Sequence, residues 1–393
     1  MLQEFKQPQN LNEVDLMFLH SSPNLYKDFA FDSTGRKAGF QVPMALDFLT
    51  ESGTIKDALT ESQQTINYQG KVATKENFEL MIRKKPKVLH ISCHGLRNEK
   101  HTMGLNYDSI KEEGHFLLFE NSYGAGELVS AKQLRIYMES SDHRIDVVYV
   151  AACDSEDIGR IFQRCGARHV VCIEQKHFVL DKAAINFTNT FYSSIFKGVP
   201  ICSAFAKAKN AVSFIQKETE GSMFVMLLGD TETDNFEESD DDHECYSLPK
   251  SQSGPWRCLS DHNHIKQIPS KLDNLRFREK EMSQLLEYLL EDKHRIVSLL
   301  GLRGVGKSCL ARNTLHYVAE RKIFTGGILF IQLKDIKSIF SLLKLIMRAI
   351  MRFLEIEKEA KRNLADRCCS QDRLIEYLIS FFNNEQEEPL KQK

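Results

Sequence analysis

Two short stretches carry residue types that could do chemistry together. Ile145–Cys153, IDVVYVAAC, is a run of apolar and β-branched residues ending in a cysteine. Val88–Gly95, VLHISCHG, is a second such run, ending in His94 and Gly95. A thiol becomes a useful nucleophile when a base within hydrogen-bond reach takes its proton, and that base is commonly a histidine distant in sequence. Cys153 and His94 are 153 − 94 = 59 residues apart. Gly95 has no Cβ and admits close backbone approach. Its N–H, with that of Cys153, would then stabilise the oxyanion of an acyl-transfer intermediate. The competing reading is structural, because free cysteines are often buried as small apolar residues.

The elements that would position these groups follow from the same runs. A continuous apolar segment reads as a buried strand of a parallel sheet, and open α/β sheets place their sites at the carboxyl ends of such strands. Asp154, Ser155, Glu156 and Asp157 follow Cys153 and read as a helix N-terminus, with Asp154 or Ser155 as cap. A weaker reading gives these acids to a pocket for a basic substrate residue. Upstream, the pattern predicts a strand over 15–20, a helix over 45–60, a short strand over 65–67 and a helix over 73–82. The Gly124-Ala125-Gly126 turn separates two strand-like runs. Downstream come a strand over 169–173, helices over 180–196 and 201–215, and a strand over 223–228. This alternation predicts an α/β domain with a doubly wound, mostly parallel sheet and flanking helices over residues 1–229.

The remaining chain has a different character. Residues 230–272 are acidic and polar and read as a linker. His243, Cys245, Cys258, His262 and His264 lie there, but their spacing matches no common zinc motif. Trp256 reads as a docking contact. Residues 273–393 hold GLRGVGKS, Gly301–Ser308, a complete G-x-x-x-x-G-K-[ST] loop. Gly301, Gly304 and Gly306 would let backbone N–H groups wrap phosphates. Lys307 would meet their charge, and Ser308 would ligate Mg²⁺. A strand is expected before the loop, over 296–300, a helix after it, over 309–320, and a strand over 326–333. The apolar helix expected over 339–354 is read as packing on a sheet rather than lying on a membrane.

Bulk composition agrees with two globular domains. The 393 residues exceed one ordinary core. A net charge of −2 gives no electrostatic case for nucleic acid. The ten cysteines are scattered, as expected in a reducing cytoplasm. No secretory pattern or membrane-spanning run is expected.

Four segments together resemble the CHAT peptidases, relatives of caspases and separase. They are LHISCHG around His94, FLLFENSYGAGELVSAKQL from Phe116, VVYVAACDS around Cys153, and GARHVVCIEQKHFVLDKAAINFTNTFYSSIFKG from Gly166. The resemblance spans about residues 85–230. Caspases also carry their histidine roughly 50 residues before the cysteine. The family usually has Ser-Ala-Cys-x-Thr-Gly, where this chain has Ala151-Ala152-Cys153-Asp154-Ser155. The resemblance implies a caspase-like fold and a cysteine endopeptidase acting on a protein or peptide, or a non-catalytic interaction module derived from one.

The region after 273 resembles the start of a STAND-type signalling NTPase, the class that includes NB-ARC domains. Arg278 in FREKE matches that class's arginine ahead of the first helix. The resemblance implies a partial P-loop α/β domain that binds ATP or another nucleoside triphosphate with Mg²⁺. It also implies self-assembly or partner binding through this module. The acidic strand-end residue that should hold Mg²⁺ through water is missing, so the chain reads as stopping short of it and hydrolysis is not expected. A third reading is a non-enzymatic sensor in which only the nucleotide matters.

Overall fold

The computed structural model describes residues 14–26, 42–98, 114–139, 143–174, 180–216, 218–229, 246–259, 268–270, 278–291, 293–321, 323–324, 327–333, 336–353 and 370–382. Contacts divide the chain into two units, 1–260 with 276–298, and 261–275 with 299–393.

The first unit is built on a seven-stranded sheet. Its strands are β1 (Leu16–His20), β2 (Asn67–Val72), β3 (Val88–Ser92), β7 (Val147–Ala151), β8 (His169–Ile173), β9 (Phe224–Leu228) and β10 (Arg257–Cys258). Their order is β10-β2-β1-β3-β7-β8-β9, parallel throughout except for β9 against β8. Successive side chains of a strand face opposite sides, and the central strands use this to feed two cores. Leu16, Phe18, Val147 and Tyr149 join one apolar cluster. Met17, Leu19, Val148 and Val150 join the other. Helices α1 (Phe48–Ser62), α5 (Asp181–Ile195) and α6 (Ile201–Ile215) contribute to the first cluster. Helices α2 (Lys75–Lys84), α3 (Ala131–Glu139) and α4 (Glu156–Arg164) contribute to the second. A sheet covered on both faces explains why its strands read as continuous apolar runs.

Two of these helices end in left-handed caps without glycine, Gln63 at φ 52° and Lys85 at φ 50°. Pro86 follows the second and precludes further helix. The short helix α7 (Glu218–Ser222) leads into β9.

The run 88–95, read as one strand, is two. β3 ends at Ser92, and β4 (His94–Asn98) begins a separate antiparallel sheet with β5 (Gly114–Glu120) and β6 (Gly126–Ser130), in the order β4-β5-β6. The chain changes sheets at Cys93. Periodicity registers apolar faces but not which neighbour a strand takes, so it does not see this switch.

Residues 246–259 lie inside the stretch read as linker, yet they pack on the first unit. Tyr246, Leu248, Trp256 and Cys258 rest against its apolar core, and β10 pairs with β2. Trp256 donates its indole N–H to Thr60 Oγ1 at 2.9 Å and meets Tyr68 edge-on. Helix α8 (Glu279–Leu290) also belongs to this unit.

The second unit contains α9 (Lys307–Glu320), α10 (Ile339–Phe353) and α11 (Gln371–Phe382). Met347, Ile350 and Met351 of α10 pack with Leu374 and Leu378 of α11. Among the described residues the expected sheet beneath α10 is not found. Among the described residues, 296–300 form no strand, and 327–333 hold only the single bridge residue Ile328. Ile296 and Leu300 are 86% and 91% exposed and Val297 and Leu299 only half-buried, so the run is not covered on both faces as a central strand would be.

Candidate functional site

The site grows from the registry of β3 and β7. Ser92 lies opposite Ala151 in the parallel ladder, and the Cys93 N–H points to the Ala151 carbonyl at 3.4 Å. Each chain then runs two residues further, to His94 and to Cys153. Gly95 lies directly on the Cys153 peptide. A Cβ at Gly95 would sit 1.9 Å from the Cys153 carbonyl oxygen and 3.4 Å from its nitrogen, distances that exclude any side chain. The two strand ends therefore meet at the backbone. Neither Cys153, half-buried, nor Cys93, buried, is in a disulfide. Burial raises the Cys93 thiol far above its usual range, and the neighbouring Cys153 raises it further. Cys93 is packed among apolar residues and is chemically quiet.

His94 Nε2 lies 2.7 Å from the Met44 carbonyl oxygen. A carbonyl only accepts, so the neutral ring carries its proton on Nε2 and leaves Nδ1 as the acceptor. Burial lowers the His94 pKa, while the Met44 carbonyl and the charge of Asp181 pull it back upward. Asp181 does a second job. Its Oδ2 accepts the Asp47 N–H at 3.0 Å, tying the 44–47 segment to the start of α5. Asp47 in turn caps α1 by accepting the Thr50 N–H at 3.1 Å.

Against β3 lies a buried carboxylate that the sequence reading missed. Glu51 of α1 is 2% exposed. It accepts hydrogen bonds from Ser92 Oγ at 2.6 Å and Thr188 Oγ1 at 3.2 Å, and His90 Nε2 is 3.1 Å away. Burial pushes the carboxyl upward, but His90, Ser92 and Thr188 together outweigh it and hold Glu51 below the ordinary glutamate value. Glutamate at the fourth position of a helix shows no periodicity that would reveal this role.

The residues after Cys153 form the helix N-terminus expected from sequence, with Ser155 at the N-cap position and Glu156 and Asp157 in the first turn of α4, but Asp154 does not cap it. Asp154 has a left-handed backbone, φ 52°, uncommon for a residue with a side chain. It is buried beside His115, and Asp157 contacts the same ring. Glu156 pairs with Arg160. The α4 N-cap, Ser155, makes no side-chain cap bond. Its hydroxyl donates instead to the Val150 carbonyl at 3.1 Å and accepts the Ile173 N–H at 3.0 Å, joining β7 to β8.

In the second unit, Gly301, Gly304 and Gly306 all have positive φ, at 153°, 85° and 90°. Lys307 opens α9 and donates from Nζ to the carbonyls of Gly301 and Leu302, at 2.9 and 2.8 Å. Ser308 follows, exposed, in the first turn. Arg278 belongs to the first unit and ion-pairs with Glu281 at 2.9 Å. Of the possible zinc ligands, His243, Cys245, His262 and His264 lie outside the described residues, and Cys258 is part of β10.

Among the described residues no helix is long and apolar enough to cross a membrane. Comparison with curated proteins gives no match. The family model for the CHAT domain matches residues 7–244, more than half of the chain. That span contains both strand ends, the sheet switch at Cys93 and the His115 hairpin, and the chain belongs to the CHAT domain family of caspase-like, peptidase-related proteins.

Proposed function

We propose that the first unit is a cysteine endopeptidase in which His94 and Cys153 form the catalytic dyad. The observation that carries this reading is the contact of Gly95 with the Cys153 peptide, which brings a histidine and a thiol to adjoining strand ends. In the reaction, His94 Nδ1 takes the Cys153 proton and the thiolate attacks the scissile carbonyl carbon. The oxyanion is held by the N–H groups of Gly95 and Cys153. Collapse breaks the C–N bond, and the His94 proton leaves with the amine. Water, deprotonated by His94, then hydrolyses the thioester and restores the thiol.

The Gly301–Ser308 loop of the second unit is read as a phosphate site for ATP or another nucleoside triphosphate. Lys307 would face the phosphates and Ser308 the Mg²⁺. The positive φ of its three glycines supports that reading. Arg278 is the further candidate for nucleotide contact. Nucleotide occupancy would gate the peptidase through self-assembly or a partner protein, in a reducing cytoplasm.

The test of the peptidase is labelling with a peptide-like, thiol-reactive probe, alongside cleavage of a broad peptide library. Wild type is expected to label and cleave. Cys153→Ala and His94→Ala should each lose activity on the order of a thousandfold or more while keeping the fold, because the pair acts as a unit. Full activity in either variant sinks the dyad. A folded wild type that labels nothing and cleaves nothing favours a non-catalytic interaction module.

A further inference from the structure

His115, on β5, sits with one ring nitrogen toward each of two acids of the Cys153 turn. Nδ1 is 3.3 Å from the Asp154 carbonyl oxygen and 3.6 Å from Asp154 Oδ2. Nε2 is 2.7 Å from Asp157 Oδ2. The ring and Asp154 are each 8% exposed, so their contact lies largely out of water, while the Asp157 carboxylate is partly solvated. A ring with acceptors at both nitrogens donates to both only as the imidazolium. Asp154, the residue after the nucleophile, is held at φ 52°. Such a backbone is strained and persists only when its surroundings enforce it.

We propose that His115 is a positioning residue for Cys153, clamping the Asp154–Asp157 turn and offsetting its negative charge beside the thiol. The proposal rests on the reading of Cys153 as the nucleophile and adds a regulatory consequence. β4 and β5 pair directly, with His94 opposite Leu118 and Arg97 opposite His115. One hairpin therefore carries the base at one end and the clamp on the nucleophile turn at the other. A displacement of this hairpin would move both halves of the dyad together.

The electrostatic part is specific. Carboxylates beside a thiol disfavour the thiolate, and a cation between them removes that penalty. The ionisable groups placed by the structure are Cys93, whose thiol feels Cys153, Asp154 and Asp157 on the His115 ring, and Arg97 opposite His115 in the ladder. Asp181 acts on His94 from α5.

The test is the rate of iodoacetamide alkylation at Cys153, read by peptide mass spectrometry across pH, in the full chain. His115→Gln keeps an amide donor and removes the charge, and His115→Ala removes both. At neutral pH, alkylation is expected to slow about tenfold in His115→Ala, with its midpoint about one pH unit higher. His115→Gln should show the pH shift with a smaller loss of rate. Asp157→Asn placed on His115→Ala should return the midpoint toward wild type, an effect a purely structural role would not produce. Wild-type alkylation in both His115 variants overturns the proposal, as does a slow rate that Asp157→Asn leaves unchanged. Because alkylation reports the thiol whether or not it cleaves peptides, a wild type without Cys153-dependent cleavage refutes the peptidase reading separately.

Discussion

Gly95 is the residue on which the smallest change should have the largest effect. A methyl group there would sit against the Cys153 carbonyl, 1.9 Å from its oxygen, and its nearest neighbours are backbone atoms rather than a flexible side chain that could give way. Gly95→Ala is therefore expected to separate the strand ends and abolish probe labelling of Cys153. Circular dichroism should still report the sheet, which does not depend on this contact. Normal labelling in that variant would mean that the Gly95 backbone has no part in the site. His94 makes a second prediction at this scale. Its lowered pKa keeps the ring neutral, hence able to accept a proton, to lower pH than an ordinary histidine. The acid limb of the pH–rate profile should fall below the free histidine value of about 6.5. A limb well above that value would show that another group sets it. Cys153, His94 and Gly95 were legible because each stands where an apolar run stops. His115 was not, since GHFLLFE reads as a strand without saying what its first side chain meets. Its partners are 39 and 42 residues away in sequence, 154 − 115 and 157 − 115.

At the scale of elements, the question is what keeps the end of β3 in place once it leaves the sheet. Glu51 supplies much of the answer, joining α1 to Ser92 at the end of β3 and to Thr188 of α5. Glu51→Ala leaves two buried hydroxyls and His90 without this acceptor and should cost about 3 kcal/mol of stability at neutral pH. The pH dependence has a definite sign. The folded carboxyl titrates below its unfolded value, so its contribution is complete above about pH 4.3 and is lost as pH falls through the folded pKa. Urea denaturation of wild type and Glu51→Gln should thus differ most near neutrality and converge in acid. A constant difference down to pH 3 would reject the account. The sequence conveyed the elements themselves well, β8 and α6 to the residue. It conveyed their connections less well, because the sheet switch at Cys93 and the return of 246–259 to the core are tertiary choices. Both depend on partners far along the chain, which local periodicity does not record.

For the whole molecule, the contrast between the two units decides what the nucleotide loop can do. The first unit buries its strands on both faces. In the second, the described residues give helices around a small core of Met347, Ile350, Met351, Leu374 and Leu378, with no sheet beneath the glycine loop. A phosphate loop normally hangs between a buried strand and a helix, and here only the helix is formed. The local chemistry remains favourable, with three glycines at positive φ and Lys307 folded back onto carbonyls it would release to meet phosphate. Hydrolysis asks for more, an aligned water and a firmly held Mg²⁺, and Ser308 alone is a poor anchor for the metal. The 393-residue chain is therefore expected to bind ATP weakly, with an affinity that drops about tenfold or more in Lys307→Ala, and to turn over negligible phosphate. Equilibrium binding of a fluorescent ATP analogue and a phosphate-release assay on both proteins check the two halves separately. Equal binding by Lys307→Ala would remove the loop from consideration as a phosphate site. Robust hydrolysis lost in that variant would show that a residue outside the loop supplies the missing acid. If ATP also changes the alkylation rate of Cys153 in wild type but not in Lys307→Ala, the two units are coupled through the nucleotide.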